Sequence, residues 1–416
     1  MSIGKRVKKM INRNIPKIRF KEFINNWNNY KLGQLGNFKS GIGFPDSQQG
    51  GTEGIPFFKV SDMNNIGNET EMRNANNYVT QEQIIKNSWK VNKETPAIIF
   101  AKVGAALMLN RKRLVTRPFL IDNNTMSYSF DESWDKDFGL TLFQTINLPK
   151  YAQIGALPSY NASDIAMIKV NVPNVQEQSA IGYLFHTLDD LLVSYKDNLT
   201  NYKSLKATML SKMFPKAGQT VPEIRLDGFE GEWKVVNLGR LIENYDEIIS
   251  GASGFPIATS SRKGLYLQND YFEGGRTGID LTLDFHRVPM GYVTYRHMSD
   301  DSIFKFNKNN FETDVLVSKE YPVFISNNRS DIDFLLYHLN NSRLFLRFST
   351  MQKLGGTRVR LYYKNLITYK LAVPTVEEQQ AIGTYFSNLD SLITAHQEKI
   401  SQLETLKKKL LQDMFI

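Results

Sequence analysis

The chain has no cysteine in its 416 residues. Disulfides, thiolate zinc sites and cysteine nucleophiles are excluded together, and the composition fits a reducing cytoplasm. Histidine is scarce as well. His186, His286, His297, His338 and His396 show no metal-ligand spacing, and no H-E-x-x-H occurs. No apolar run approaches the roughly 18 residues that a membrane span needs. The basic stretch Met1–Arg13 is followed by no apolar segment, so it does not read as a secretory signal. It reads as a flexible basic arm or as a solvated tail.

Nucleotide and cofactor signatures are missing too. There is no G-x-x-x-x-G-K-[ST] loop to cradle phosphates. Gly41-Ile42-Gly43 is a lone G-x-G with Pro45 close behind; it opens no evident helix and reads as a turn. No N/D-P-P-Y/F element marks a methyl-transfer site. Glu232-Trp233-Lys234 ends like a nuclease E-x-K, but no acidic partner lies on a neighbouring strand. These absences leave no catalytic centre to assign.

What the chain does have is a sentence said twice. Val172-Pro173-Asn174-Val175-Gln176-Glu177-Gln178 returns 201 positions later as Val373-Pro374-Thr375-Val376-Glu377-Glu378-Gln379, and 17 of the 43 positions from 172 to 214 are identical to those from 373 to 415, with no gap. A second block repeats upstream: Pro16-Lys17-Ile18-Arg19-Phe20, Phe23, Trp27 and Leu32-Gly33 return as Pro222-Glu223-Ile224-Arg225-Leu226, Phe229, Trp233 and Leu238-Gly239. Between the shared blocks the halves look almost unrelated. The length allows two or three domains. The expected organisation is an arm and entry block over 1–29, a first variable domain over 30–171, a helix over 172–214, a linker with the second entry block over 215–235, a second variable domain over 236–372 and a final helix over 373–416.

Both helices carry start signals. Asn174 stands three before Glu177 and Thr375 three before Glu378, the spacing of a reciprocal capping box. Pro173 and Pro374 disfavour helix just before them. Apolar residues then recur every seven positions: Ile181, Leu188, Tyr195, Tyr202 and Met209 in one copy, Ile382, Leu389, His396, Leu403 and Leu410 in the other. The companion series are Leu184, Leu191, Asn198, Leu205 and Tyr385, Leu392, Lys399, Leu406. Such a repeat over four heptads predicts that the two helices form an intramolecular coiled coil, with Asn198 and Lys399 as register-setting polar positions. The alternation of variable domain, helix and linker favours an antiparallel pair. The alternative is two core helices, each buried in its own domain.

The variable domains are mixed. Runs such as Ala97–Phe100 and Gly291–Tyr295 read as strands, and Asp137–Leu140 and Asp333–Leu336 open short helices. The fold class is therefore α+β, with two α/β domains separated by two long helices. Gly155 and Gly356 fall at the same offset near the ends of the two domains.

The net charge is +9 and the pI about 9.3, a lean toward polyanions. The first variable domain carries Lys39, Ser40 beside the glycine-rich turn, Lys59, Ser61, Lys102, the cluster Arg111-Lys112-Arg113, and Arg117. The second carries Arg262, Lys263, Arg276, Arg287, Arg296, and Arg358-Val359-Arg360 after Gly355-Gly356. Arginine suits guanine edges, and lysine and serine suit phosphates; glycine lets a backbone approach the duplex. A solvated surface is the competing reading of each residue singly.

The doubled P-x-x-E-Q-x-A-I-G-x-x-F-x-x-L-D block and the P-x-I-R-[FL] entry blocks resemble the specificity subunit of bacterial type I restriction–modification enzymes, and Gly54–Asp62 is similar to a stretch of that family's first target-recognition domain. The resemblance covers essentially the whole chain. It implies two target-recognition domains on an antiparallel coiled coil, each reading half of a bipartite site in double-stranded DNA. It implies that the helices, with Ile181, Leu188, Tyr195, Tyr202, Ile382, Leu389, His396 and Leu403, also dock two methyltransferase subunits, to which restriction subunits add. S-adenosylmethionine, ATP and magnesium would serve those partners, with no cofactor on this chain and no membrane. An autonomous DNA-binding regulator, a catalytic methyltransferase and a pure coiled-coil organiser are the competing functions.

Overall fold

Four helices organise the chain: α1 (Lys136–Thr145), α2 (Val175–Lys212), α3 (Ile332–Asn341) and α4 (Val376–Asp413). The computed structural model describes residues 14–153, 157–271, 280–353 and 358–416. The basic arm, Gly155, Arg276, Gly355 and Gly356 lie outside the described residues. Two compact units result. One comprises residues up to Tyr195 with Lys399–Ile416, the other Lys196–Glu398. Each unit thus holds one half of α2 and one half of α4.

In the first unit the entry block supplies β1 (Asn28–Lys31). The variable domain supplies β2 (Gly36–Ser40), β3 (Ala97–Ala101), β4 (Lys112–Val115) and β5 (Thr125–Phe130), and β6 (Lys169–Val172) leads into α2. The sheet runs β2-β5-β3-β4, all antiparallel, with Ile98 facing Tyr128 on one side and Leu114 on the other. In the second unit the corresponding strands are β7 (Lys234–Asn237), β8 (Ile242–Tyr245), β9 (Val293–Tyr295), β10 (Met298–Ser299), β11 (Phe306–Lys308), β12 (Val323–Ser326), β13 (Val359–Arg360) and β14 (Lys370–Val373). Their sheet runs β8-β12-β9-β11. The two orders match strand for strand, so the divergent domains share one fold. In both, the entry strand pairs antiparallel with the strand before the long helix, Asn28 facing Val172 and Lys234 facing Val373.

The repeated motif is the fastening between helix and domain. Arg19 donates from Nε and Nη2 to the two carboxylate oxygens of Glu177 at 2.6 Å each, and Arg225 does the same to Glu378 at 2.7 and 2.6 Å. Both glutamates are buried, at 0 % and 1 % exposure. Gln178 Oε1 accepts from Asp135 N at 3.0 Å, and Gln379 Oε1 from Asp331 N at 3.1 Å. Asp135 and Asp331 are the N-caps of α1 and α3. They lie so close to the long helices that a Cβ on Gly182 would stand 2.5 Å from Asp135 Oδ1, and one on Gly383 2.7 Å from Asp331 Oδ1. Phe185 and Phe386 then enter the two cores, each burial stabilising by roughly 1.5–3 kcal/mol. Half of the expected capping box is present: Glu177 N donates to Asn174 Oδ1 at 2.9 Å and Glu378 N to Thr375 Oγ1 at 3.4 Å. The reciprocal half is not, because both glutamate side chains turn to arginine.

Within each unit the two helix halves run antiparallel. In the first, Phe185 packs on Phe415 and Asp189 accepts from Lys407, so one helix ascends as the other descends. In the second, Tyr202 meets His396, Lys206 pairs with Asp390, and Phe214 stacks near Phe386. The two ion pairs are copies of each other at the 201 offset. Ile181, Leu188 and Leu403 are buried in the first core, with Tyr195 packed against it. Ile382 and Leu389 are buried in the second, with Tyr202 packed against it.

One expectation needs correcting. The seam follows positions i and i+4, so Phe185, Leu192, Phe386 and the partly buried Leu199, Ile393 and Ile400 complete it. The companion series turns outward after its first members, Leu184 and Tyr385, which pack against the two cores. Leu191 and Leu406 of the first unit are 41 % and 44 % exposed, and Leu205 and Leu392 of the second are 38 % and 41 % exposed. Asn198 and Lys399 are exposed and set no register. The stretch 215–235 is also tied down: Ile224 N donates to Lys212 O at 3.0 Å, and Glu223 pairs with Lys212 and Lys216.

Candidate nucleic-acid interface

Alternation along extended backbone builds the candidate interface of the second unit. Side chains of neighbouring residues point to opposite faces, so a buried apolar residue sends its neighbour outward. Val359 and Leu361 are buried while Arg358 and Arg360 are exposed. Tyr295 and His297 are buried and Arg296 between them is exposed. Phe304 and Phe306 are buried, and Lys305 between them is turned the other way. The ladder of β10 with β13 sets Arg360 opposite Met298, and Leu361 N donates to His297 O at 2.8 Å. Residues some sixty positions apart in sequence are thereby brought together.

On the His297 side of this contact, Arg296 and Met298 help line a cleft of about 710 Å³ with Arg262, Lys263 and Lys305, hydroxyls of Ser260 and Ser261 and the acids Asp300 and Asp301. Arg262 donates to both oxygens of Asp301, at 2.8 and 2.6 Å, and Arg358 Nε donates to Asp300 at 2.8 Å. Exposed pairs of this kind contribute little to stability. What they do is orient two guanidinium forks at one rim. The sequence reading missed Lys305; the alternating Phe304-Lys305-Phe306 pattern was the available signal. Arg287 belongs elsewhere, held by Asp314 at 2.5 Å and Glu247 at 3.1 Å.

The cations of the first unit fall into two sets. Arg111, Arg113 and Arg117 lean on the segment 63–73: Arg111 on Asn64, Arg113 on Met63 O at 3.4 Å and Arg117 on Arg73 O at 2.7 Å. Lys39 pairs with Glu94 at 2.7 Å, and Lys59 donates to Gln49 at 3.1 Å. Ser40 and Ser61 are exposed, and Lys102 is half-buried beside Asn124. Asp62 is buried, accepting from Lys59 N at 2.8 Å, and so builds the turn that displays Ser61.

Three expectations are corrected. Lys112 faces inward: its Nζ is buried and donates to Ile146 O at 2.6 Å, and burial pulls its pKa down to about 7. Strand β4 gives Lys112 and Leu114 the same, core-facing side, which a reading of charge alone overlooks. Gly41 does not approach a duplex either. A Cβ there would sit 1.8 Å from Asp122 O, so glycine serves the packing of β2 on the Ile121–Asp122 segment. Nor are Ile181, Leu188, Ile382, Leu389 and Leu403 open to a partner subunit, because the seam buries them.

Among the described residues, no group of three or more His, Asp or Glu side chains is placed to hold a metal ion, and no helix is long and apolar enough to cross a membrane. The sequence model of the type I restriction modification DNA specificity domain matches residues 24–201 and again 268–405. The chain belongs to this family. A relative from Methanocaldococcus jannaschii that bears the name of an MjaX specificity subunit is 24% identical over 295 residues, 65% of this chain and 64% of its own length. The MjaVIII specificity subunit of the same organism is 21% identical over 276 residues, 61% of this chain and 63% of its own length. The chain thus spans less than two thirds of either relative. The crystal structure of the S subunit of a type I restriction–modification system from M. genitalium superposes with a TM-score of 0.59 at 14% identity, covering 97% of this chain and 99% of that one. That likeness extends the specificity-domain family fold over nearly the whole chain.

Proposed function

We propose that this chain is the DNA-recognition subunit of a type I restriction–modification complex, reading a bipartite duplex site with its two variable domains while partner subunits carry out methylation and cleavage. The observation that carries the reading is the rim of the second unit, where Arg262 and Arg296 line one polar cleft, Arg358 is held by Asp300 of its wall and Arg360 lies opposite Met298, on a frame the first unit repeats. Guanidinium forks match base edges bidentately, each good pair discriminating by about 1–3 kcal/mol. The frame is common and the loops differ, so the two half-sites would differ as well.

The outward leucines support a docking role for the helices. Leu191 and Leu406 on one unit and Leu392 and Leu205 on the other are equivalent under the 201 offset. Two like apolar surfaces suit two copies of one partner, which matches two methyltransferase subunits. S-adenosylmethionine, ATP and magnesium would then act in the partners.

A genome-wide map of methylated adenines, compared with and without this gene, tests the reading. One bipartite methylated motif should vanish with the gene, and the tagged chain should co-purify with two methyltransferase copies. An unchanged map, or a chain that purifies alone, would overturn it.

A further inference from the structure

Lys305 is the cation of the second unit that the fold accommodates least readily. Its neighbours Phe304 and Phe306 are both buried, which pins the intervening side chain to the opposite face. There it lines both the 710 Å³ cleft and a second one of about 940 Å³, as does Lys263. Three other cations of these walls are neutralised: Arg262 by Asp301, Lys308 by Asp333 at 2.7 Å, and Lys206 by Asp390, which also accepts from Tyr337 at 2.8 Å. Among the described residues Lys305, Lys263 and Arg296 have no carboxylate within ion-pair distance. Burial depresses the pKa of Lys305, and neighbouring Lys206 adds to the effect while Asp390 opposes it. A half-buried ammonium whose counter-charge, Asp390, is already paired with Lys206 is unfavourable for the fold alone. Its position in the lining of two clefts fits an anion that arrives from outside.

We propose that Lys305, with Lys263 and Arg296 beside it, forms a seat for a backbone phosphate of bound duplex. This rests on the reading of the chain as a DNA-recognition subunit and extends it by separating a positioning contact from the base-reading arginines at the rim. Lysine is a compact point charge without the planar fork that selects a base edge. Held between two phenylalanine anchors, it contributes affinity and placement and no sequence preference.

The test measures binding of the full-length chain to a random duplex, and to the duplex site identified by methylation mapping, across a range of salt concentrations. Lys305→Met should weaken both equally and reduce the slope of log K against log salt by about 0.9, the value for one phosphate contact. Lys305→Arg should restore the slope. The urea resistance of the second unit in Lys305→Met, read by hydrogen exchange, should equal or exceed that of the wild type, because an unpaired charge has been removed; a merely structural lysine would give the opposite. Lys112→Met, which alters an inward-facing lysine, should leave the slope unchanged. An unchanged slope in Lys305→Met, or a loss confined to the specific site, overturns the inference and leaves the recognition reading standing. A wild-type chain that retains no duplex even at low salt overturns both.

Discussion

Removing Arg225 should expose the energetics of the fastening between helix and domain. Glu378 is 1 % exposed, and Arg225 supplies two of its hydrogen bonds, at 2.7 and 2.6 Å. The carboxylate in turn raises the pKa of the arginine through those bonds. Arg225→Met leaves a buried carboxylate without its counter-charge, which costs roughly 3–5 kcal/mol. The first unit offers an internal comparison. There Trp27 Nε1 also donates to Glu177, at 3.2 Å, whereas the equivalent Trp233 Nε1 has no partner among the described residues. A hydrogen bond to a charged group contributes about 1.5–3 kcal/mol, so Arg19→Met should be the milder change by about that amount. The chain has two units, and a single melting temperature would not describe it. Hydrogen exchange read by mass spectrometry, peptide by peptide through a urea series, resolves them. Protection at the start of α4 and in β7 should fall in Arg225→Met, and the double variant Arg225→Met with Glu378→Leu should recover most of it. Loss of less than about 0.5 kcal/mol, near the limit of a neutral surface change, would refute the argument. So would an Arg19→Met as damaging as Arg225→Met.

Two further outcomes follow from the same fastening and core. Gly383→Ala places a Cβ 2.7 Å from Asp331 Oδ1 and 3.3 Å from Phe334 N, the two atoms of the α3 cap; a destabilisation of about 1–3 kcal/mol is expected in the second unit, and wild-type urea resistance would contradict the close approach. His338 is buried, donates or accepts at Tyr369 Oη at 2.8 Å, and burial lowers its pKa from 6.5 to about 4. The folded state is therefore the poorer proton binder between those values. Its contribution, roughly 3 kcal/mol for such a shift, is complete above pH 6.5 and is lost as pH falls toward 4. His338→Gln should flatten that part of the stability–pH profile of the second unit, and an unaltered profile would show that His338 is not the group responsible.

The order of elements was legible in the primary structure because the signals are local. A proline followed by a capping residue and an uninterrupted apolar period specify where α2 and α4 begin and how far they run. Asp137–Leu140 and Asp333–Leu336 mark the openings of α1 and α3, which Asp135 and Asp331 cap through their side-chain oxygens. The doubled block identified the family, since chance does not repeat 17 of 43 positions in fixed register. Three features became visible only in the tertiary structure. A seven-residue period leaves the choice between i+3 and i+4 partners open, and contacts with the domain and the second helix gave the inner face to Phe185 and Phe386 and the outer face to Leu191 and Leu392. Charge along a strand does not say which residues face the core, so Lys112 lies inside while Lys305 stands at a cleft. The glutamates of the repeated block read as helix caps in sequence, yet they bind arginines about 150 residues away. Local patterns determine local structure because their partners lie within one turn; a buried charge takes its partner from whatever part of the chain the fold brings beside it.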